Sequence, residues 1–352
     1  MRHSPLPPPR LVPAAEACAL QTLERSVERE GPAPRGPGTI RPAGLDRSIL
    51  PPPRSALPRL RRLFDPVSGW IRRGERRLNR FLGCRVYPRL SPVRRLYSWQ
   101  LEHGLTVSEA EVPVAGLPSA FEGATVLLIT DIHAGPFLAP EALERVFRRL
   151  MALRPDLILL GGDLTTDRVS EFDGCAGAFG CLTAPLGLFG VLGNHDHYTG
   201  DPEGLRRSME RAGIAVLHNR SVALERMGQV LLLAGIDDLN WGRPDLERAL
   251  AGTRGKGRRE PVILLSHNPD VFFQAAQEGV ALVLAGHTHG GQIRLPGLPV
   301  LVRMSRFGLD QGHYQMRPSQ LVVSRGLGAT GLPLRMACPP EVVALRLRRA
   351  PL

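Results

Sequence analysis

The sequence predicts an α/β fold, and three observations carry the prediction. Short, continuous aliphatic runs recur along the chain, as strands covered on both faces require. Stretches with helical spacing lie between several of them, which argues for strands alternating with helices. Five of the runs end in clusters of polar, chemistry-bearing residues. In open α/β sheets binding sites form beyond the carboxyl ends of the strands, so the third observation concerns function as well as fold.

The runs come in this order. Residues 124–130 end at Asp131-Ile132-His133, and residues 155–160 end at Gly161-Gly162-Asp163. Residues 187–192 end at Gly193-Asn194-His195-Asp196, and residues 261–265 end at Ser266-His267-Asn268. The fifth run, 280–285, ends at Gly286-His287-Thr288-His289-Gly290-Gly291. Residues 141–153 have apolar residues near helical spacing behind Pro140, a favoured first-turn residue. Residues 204–211 and 245–250 read the same way. A further apolar run, 230–236, leads into Asp237 and Asp238, which either edge a site or form a turn.

The strand ends supply Asp131, His133, Asp163, Asn194, His267, His287 and His289. Two histidines one residue apart, flanked by glycines at the mouth of a buried strand, are poor packing residues and good metal ligands. Seven N and O donors exceed what one ion needs if open positions are to remain. They suit two ions sharing a carboxylate, a pair able to hold the attacking and leaving oxygens of a phosphoryl displacement. The absence of thiolate favours Mn, Fe, Zn or Ni over a structural zinc site. Taken singly the residues have blander readings: Asp131 or Asp163 as a helix cap, His267 as a loop histidine. His197, beside Tyr198, either lines the pocket or does not. His3, His103, His218 and His313 have no partner in the pattern.

The order DxH, GD, GNHD, H, GHxH resembles the calcineurin-like metallophosphoesterase superfamily over about residues 122–347, with all five blocks present. The resemblance implies a four-layer α/β/β/α sandwich around two mixed sheets, preceded by a Pro/Arg-rich extension. It implies that Asp131, His133 and His289 hold a first divalent ion, that Asn194, His267 and His287 hold a second, and that Asp163 bridges them. His195 becomes the general acid or a clamp on the phosphate, with Asp196 orienting it.

Protein Ser/Thr phosphatases of the superfamily carry GDxxDRG and GNHE. Here the Asp-Arg pair after Asp163 is shifted by one residue and the third block is GNHD, which counts against that activity. The blocks GNHDHY and GHTHGGQ, with the terminal Ser324-Arg325-Gly326-Leu327-Gly328, Leu332-Pro333-Leu334-Arg335 and Pro340-Glu341, look like a bacterial, membrane-associated branch. Members of that branch are phosphodiesterases or phosphoesterases, some acting on the pyrophosphate of UDP-2,3-diacylglucosamine. Arg325 and Arg335 either meet substrate phosphate as planar donors or are ion-paired groups of the protein.

Charge divides the 352 residues sharply. Residues 1–99 hold 20 Arg, no Lys and 7 acids, whereas residues 100–352 hold 24 Arg, one Lys and 26 acids. The net charge of +12 therefore belongs to the N-terminal extension and not to the expected catalytic domain. Residues 1–53, with 12 Pro, cannot bury enough apolar surface to fold alone and are expected to be disordered. Residues 54–99 form a basic segment. Within it Val67, Trp70, Ile71, Gly74, Leu78, Phe81 and Leu82 fall in an arc of about 120° on a helix, opposite Arg72, Arg73, Arg76, Arg77 and Arg80. Such a helix either lies on an anionic membrane surface or packs on the catalytic domain, residues 100–352. Nucleic acid ranks last as its partner, because no nucleic-acid module accompanies the arginines.

No run of apolar residues is long enough to span a bilayer, and Arg61-Arg62-Leu63-Phe64 lacks the apolar core of an export signal. Cys18, Cys84, Cys175, Cys181 and Cys338 have no CxxC spacing and suit a reducing compartment. The sequence thus describes a cytoplasmic, membrane-peripheral hydrolase of phosphodiester or pyrophosphate bonds with two divalent metal ions. A nucleotide or cyclic-nucleotide phosphodiesterase and a non-catalytic scaffold of the same fold are the alternatives.

Overall fold

The computed structural model describes residues 38–39, 81–82, 86, 91–135, 137–253, 260–294, 304–316 and 318–350. Most of the extension, including nearly all of the expected amphipathic helix 67–82, lies outside the described residues. The elements run β1 (Gly38–Thr39), α1 (Ser91–Gly104), β2 (Thr106–Ala115), β3 (Thr125–Ile129), α2 (Pro140–Met151), β4 (Leu157–Leu160), α3 (Val169–Phe179), β5 (Leu188–Gly190), α4 (Asn194–Tyr198) and α5 (Pro202–Arg211). They continue with β6 (Ala215–Val216), β7 (Arg220–Arg226), β8 (Gln229–Gly235), α6 (Leu246–Ala251), β9 (Val262–Leu265), α7 (Phe272–Gln277), β10 (Leu282–Ala285), β11 (Gly312–Met316), β12 (Ser319–Val323) and β13 (Glu341–Ala350).

Two mixed sheets result. One has the order β1-β2-β13-β3-β4-β5-β6 and the other β11-β12-β10-β9-β8-β7. In the first sheet β13 runs antiparallel to β3 and parallel to β2. In the second, the parallel strands β8, β9, β10 and β12 are flanked by the antiparallel edges β7 and β11. The β7–β8 hairpin turns through Met227 (φ 50°) and Gly228 (φ 71°), two left-handed residues of the kind a tight hairpin needs.

Strand alternation sorts the aliphatic side chains into three layers of core. In β3, Val126 and Leu128 face the second sheet, while Leu127 and Ile129 face the helices. In β4, Leu157 and Leu159 face inward and Ile158 and Leu160 outward. The second sheet does the same: Ile263, Leu265, Leu282 and Leu284 meet the first sheet, while Leu264, Val283 and Ala285 meet α6 and α7. Strands buried on both faces must read as unbroken apolar runs, which is why five of them were legible. The outer helices α1, α2, α3 and α5 cover the first sheet, completing the four-layer α/β/β/α sandwich.

Local chemistry sets the helices. Helix α2 buries Leu143, Val146, Phe147 and Leu150 along one stripe, begins with Pro140 and carries Glu141 in its first turn and Arg148 and Arg149 in its last. Burying Phe147 alone contributes roughly 2–3 kcal/mol. Helix α5 opens on Pro202, and the Asp201 carboxylate accepts the Gly204 N–H at 2.8 Å.

Candidate metal centre

The five loops that follow β3, β4, β5, β9 and β10 converge. Their backbone is unusual: Asp131 (φ 52°), His133 (48°), Asp163 (51°), His287 (72°) and His289 (51°) all adopt the left-handed conformation. Each such residue costs on the order of 1–2 kcal/mol and persists only where its surroundings over-determine it. Here they do. The Asp131 N–H donates to Gly162 O and the His133 N–H to Asp163 O, both at 3.0 Å. The His287 N–H donates to the Asp131 carboxylate at 3.0 and 3.1 Å, and the His195 N–H to Asp163 Oδ1 at 2.7 Å.

The side chains form two sets around Asp163. In one, His133 Nε2 and His289 Nε2 are 3.1 Å apart, with Asp131 Oδ1 3.5 Å from His289 Nε2 and Asp163 Oδ2 3.7 Å from His133 Nε2. In the other, His267 Nε2 lies 3.1 Å from His287 Nδ1, 3.2 Å from Asn194 Oδ1 and 3.3 Å from the same Asp163 Oδ2. The donor atoms of Asp131, His133, Asp163 and His289 all lie within 4.8 Å of one another. All seven residues are buried.

Glycine is required where backbone meets this cluster. A Cβ on Gly193 would stand 2.2 Å from Asp163 Oδ1, and one on Gly286 2.3 Å from Asp131 Oδ2. Gly162 has φ 87° as well as a backbone neighbour that a Cβ would meet at 2.7 Å.

Burial dominates the electrostatics. It pushes the His133 and His287 imidazoles down to about 3, aided by neighbouring imidazoles, and His289 well below its usual value. These rings are neutral near pH 7, the form in which an imidazole coordinates a metal. Burial lifts Asp131 to about 6. Burial also disfavours charge on Asp163 and His267, but each outweighs that for the other: Asp163 is held well below the usual carboxylate range and His267 well above the usual imidazole range. A cation beside Asp163 would supply the positive charge that the His267 proton otherwise supplies.

The residues fit a pair of divalent cations. Twice, once in each set, two imidazole nitrogens face each other at 3.1 Å, and lone pairs at that distance repel unless a proton or a cation lies between them. The His267 Nδ1–H donates to Gly161 O at 2.9 Å, which leaves Nε2 as the coordinating atom. Asp163 belongs to both sets, so it is the one carboxylate placed to be shared.

His195 stands beside the cluster, its ring 4.7 Å from that of His133. Its orientation corrects one expectation. Asp196 does not hold it: the Asp196 oxygens accept the N–H groups of Gly193 and Thr165 and the Thr165 hydroxyl. The His195 Nδ1–H donates instead to Thr166 O at 2.7 Å, leaving Nε2 for a reacting group. A backbone carbonyl has no sequence signature, so Thr166 escaped notice; Asp196 shapes the turn that presents Asn194 and His195. Tyr198 packs on His195 (4.7 Å between ring centroids) and Trp241 on Tyr198 (4.9 Å), forming an aromatic wall that the sequence reading also missed.

Other candidates resolve into structure. Asp238 accepts the N–H groups of Asn240 and Trp241 in a turn, and Asp237 pairs with His197 at 2.7 Å. Arg325 is ion-paired with Glu341 at 2.8 Å. Arg335 is buried and donates to Gly328 O, His289 O and Arg325 O, with Nη2 3.2 Å from His289 Nδ1. It braces the His289 ring from behind. His103 and His313 bond locally, to Trp99 O and to Gln320.

Comparison with known proteins agrees with this geometry. Residues 124–291 match the family model described as calcineurin-like phosphoesterase. The chain is 32% identical over 257 residues to an uncharacterised metallophosphoesterase of Bacillus subtilis, covering 72% of this chain and 89% of that one. It is 31% identical over 256 residues to an uncharacterised metallophosphoesterase of Aquifex aeolicus, covering 72% and 95%. A zebrafish transmembrane protein with metallophosphoesterase domain is 35% identical over 257 residues, 69% of this chain and 57% of that protein, so this chain spans little more than half of that relative's length. The chain belongs to the calcineurin-like metallophosphoesterases, a family of phosphoester hydrolases. Its relatives come from vertebrates as well as bacteria, so the resemblance to a bacterial branch does not fix a bacterial source.

Proposed function

We propose that this chain hydrolyses phosphodiester or pyrophosphate bonds with two divalent metal ions, Mn, Fe, Zn or Ni, on a lipid-linked or nucleotide-sugar-lipid substrate at a membrane surface. One observation carries the reading: Asp163 Oδ2 lies within 3.7 Å of histidine nitrogens from both sets. Asp131, His133 and His289 would hold one ion, Asn194, His267 and His287 the other, and Asp163 both. Such a pair supplies Lewis acidity toward a phosphoryl oxygen and lowers the pKa of water.

The chain's own residues do the rest. The left-handed loops fix the donors before substrate arrives, so little reorganisation accompanies reaction. Thr166 O keeps the proton of His195 on Nδ1, so Nε2 faces the site and can pass a proton to a leaving oxygen or steady charge on the phosphoryl group. Ile132, Ala134 and Leu164, which flank the donors in sequence, are buried in the core on the helix side of the first sheet. An intact donor set with His195 in place argues against a non-catalytic scaffold.

A second reading is favoured by the Tyr198–Trp241 wall beside His195, which suits a planar base: a nucleotide or cyclic-nucleotide phosphodiesterase. The membrane setting is supported by the basic extension; among the described residues no helix is long and apolar enough to cross a bilayer. The inner face of the cell membrane is the location we propose; Cys181 and Cys338 are free thiols, in keeping with it.

Asp163→Ala and His287→Ala should abolish hydrolysis of bis-p-nitrophenyl phosphate while circular dichroism shows the fold retained. Turnover surviving in both would refute the assignment. Phospholipid, nucleotide-sugar and nucleotide substrates, each tried with Mn, Zn, Fe and Mg, separate the two readings.

A further inference from the structure

Large apolar side chains stand exposed on one corner of the catalytic domain: Phe81, Leu96, Trp99, Leu332, Leu334 and Met336, each 41–60 % exposed. They come from three separate stretches of chain, which the structure ties together. Gln100 of α1 clamps the backbone of Arg335, donating to its O at 2.6 Å and accepting from its N at 3.1 Å. That clamp sets Leu334 and Met336 beside the helix bearing Leu96 and Trp99. Leu82 packs against the buried cluster of Tyr97, Phe137 and Ala329, which brings Phe81 to the same corner. Tyr97 in turn bonds Leu327 O at 2.8 Å.

The corner adjoins the metal centre. Gln292, three residues after His289, exchanges hydrogen bonds with Thr330 and donates to Leu332 O. Arg335, between Leu334 and Met336, reaches back to His289. A single short loop therefore displays apolar side chains outward and braces a candidate ligand inward.

We propose that this corner is a docking surface for an anionic lipid bilayer, seating the domain so that a phosphoester carried by a lipid meets the site without leaving the membrane. Charge identifies the occupant. The stretch that leads directly into this corner, residues 54–99, has 13 Arg, no Lys and two acids. Arg95 is exposed on the same helix as Leu96 and Trp99. The acid of that helix, Glu102, is already paired with Arg145 at 2.7 Å. Exposed tryptophan, leucine and methionine beside Arg95, on a chain whose preceding segment has this basic composition, match an interface of acyl chains beneath anionic headgroups. The inference rests on the lipid-borne substrate proposed above, but binding requires no turnover and can be tested apart from it.

Full-length protein is centrifuged with vesicles of phosphatidylglycerol and phosphatidylcholine, and with phosphatidylcholine alone. Wild type should sediment with the anionic vesicles, and Trp99→Glu/Leu334→Glu should reduce that partition by about tenfold or more. Turnover of soluble bis-p-nitrophenyl phosphate by the double variant should equal wild type, which shows that it folds; if it is reduced, Leu332→Glu and Leu96→Glu singly must each weaken vesicle binding. Asp163→Ala should bind vesicles like wild type even though it hydrolyses nothing. Wild type remaining in the supernatant, or variants binding as well as wild type, would overturn the proposal. So would a dimer in sedimentation velocity that the double variant loses without any vesicle binding, since the corner would then belong to a second copy.

Discussion

His133 Nε2 and His289 Nε2 stand 3.1 Å apart although 156 residues separate them. One follows a strand of the first sheet, the other a strand of the second. The lone pairs of two buried imidazoles facing each other repel unless a proton or a cation lies between them. His289→Ala should therefore lose about one of two bound ions and nearly all turnover, with little loss of thermal stability of the metal-free protein. Elemental analysis alongside calorimetry checks this; unchanged metal content would contradict it.

His195 is placed to act without holding a metal. His195→Asn should lower turnover about 10²–10⁴-fold, the usual contribution of a positioned proton donor, while leaving metal stoichiometry intact. Loss of metal from this variant would show that His195 is a ligand after all.

The Gly193→Ala test is steric. Gly193 has φ −105°, open to any residue, but its Cβ would sit 2.2 Å from Asp163 Oδ1. The added methyl must displace the shared carboxylate. Turnover should fall by about 10²-fold or more, at a stability cost of about 1–3 kcal/mol. A variant with wild-type kinetics would mean that Asp163 has room to spare.

The His197–Asp237 pair, 2.7 Å apart, links α4 to the end of β8 and gives a pH signature. Burial opposes the His197 charge, but Asp237 outweighs it and raises the His197 pKa; burial likewise opposes the Asp237 charge, and His197 helps hold that pKa down. The histidine contribution is complete below its unfolded value, about 6.5, and is lost as pH rises through the higher folded value. The aspartate contribution is complete above its unfolded value, about 3.9, and is lost as pH falls through the lower folded value. Both act in full between about pH 4 and 6.5, where His197→Gln, which keeps a donor but no charge, should be less stable by about 1–2 kcal/mol. Denaturation midpoints should converge above that window; a difference constant with pH would remove the charge from the explanation.

The strand ends were legible because buried parallel strands admit only apolar residues, so polar clusters such as Asp131-Ile132-His133 stand out against them. Helix α2 was legible from its stripe, within two residues at its C-terminus. Helix α3 was not: its Gly174, Ala176 and Gly177 weaken any periodic signal. Strand β13 escaped as well, since its outward Arg346, Arg348 and Arg349 disguise a strand that sits in the middle of the first sheet, paired with β2 over ten residues. Asp196 was adjacent to His195 in sequence but turned to Gly193 and Thr165, and Arg335 read either as a phosphate donor or as an ion-paired group although it is buried behind His289. Adjacency and residue type do not report direction.

The central claim is that Asp163 lies between two cations. Anomalous diffraction from crystals grown with manganese tests it most directly. Two peaks roughly 3.5–4 Å apart, one beside His133 and His289 and one beside His267 and His287, with the Asp163 carboxylate between them, is the predicted result. No peak within bonding distance of Asp163 would contradict it.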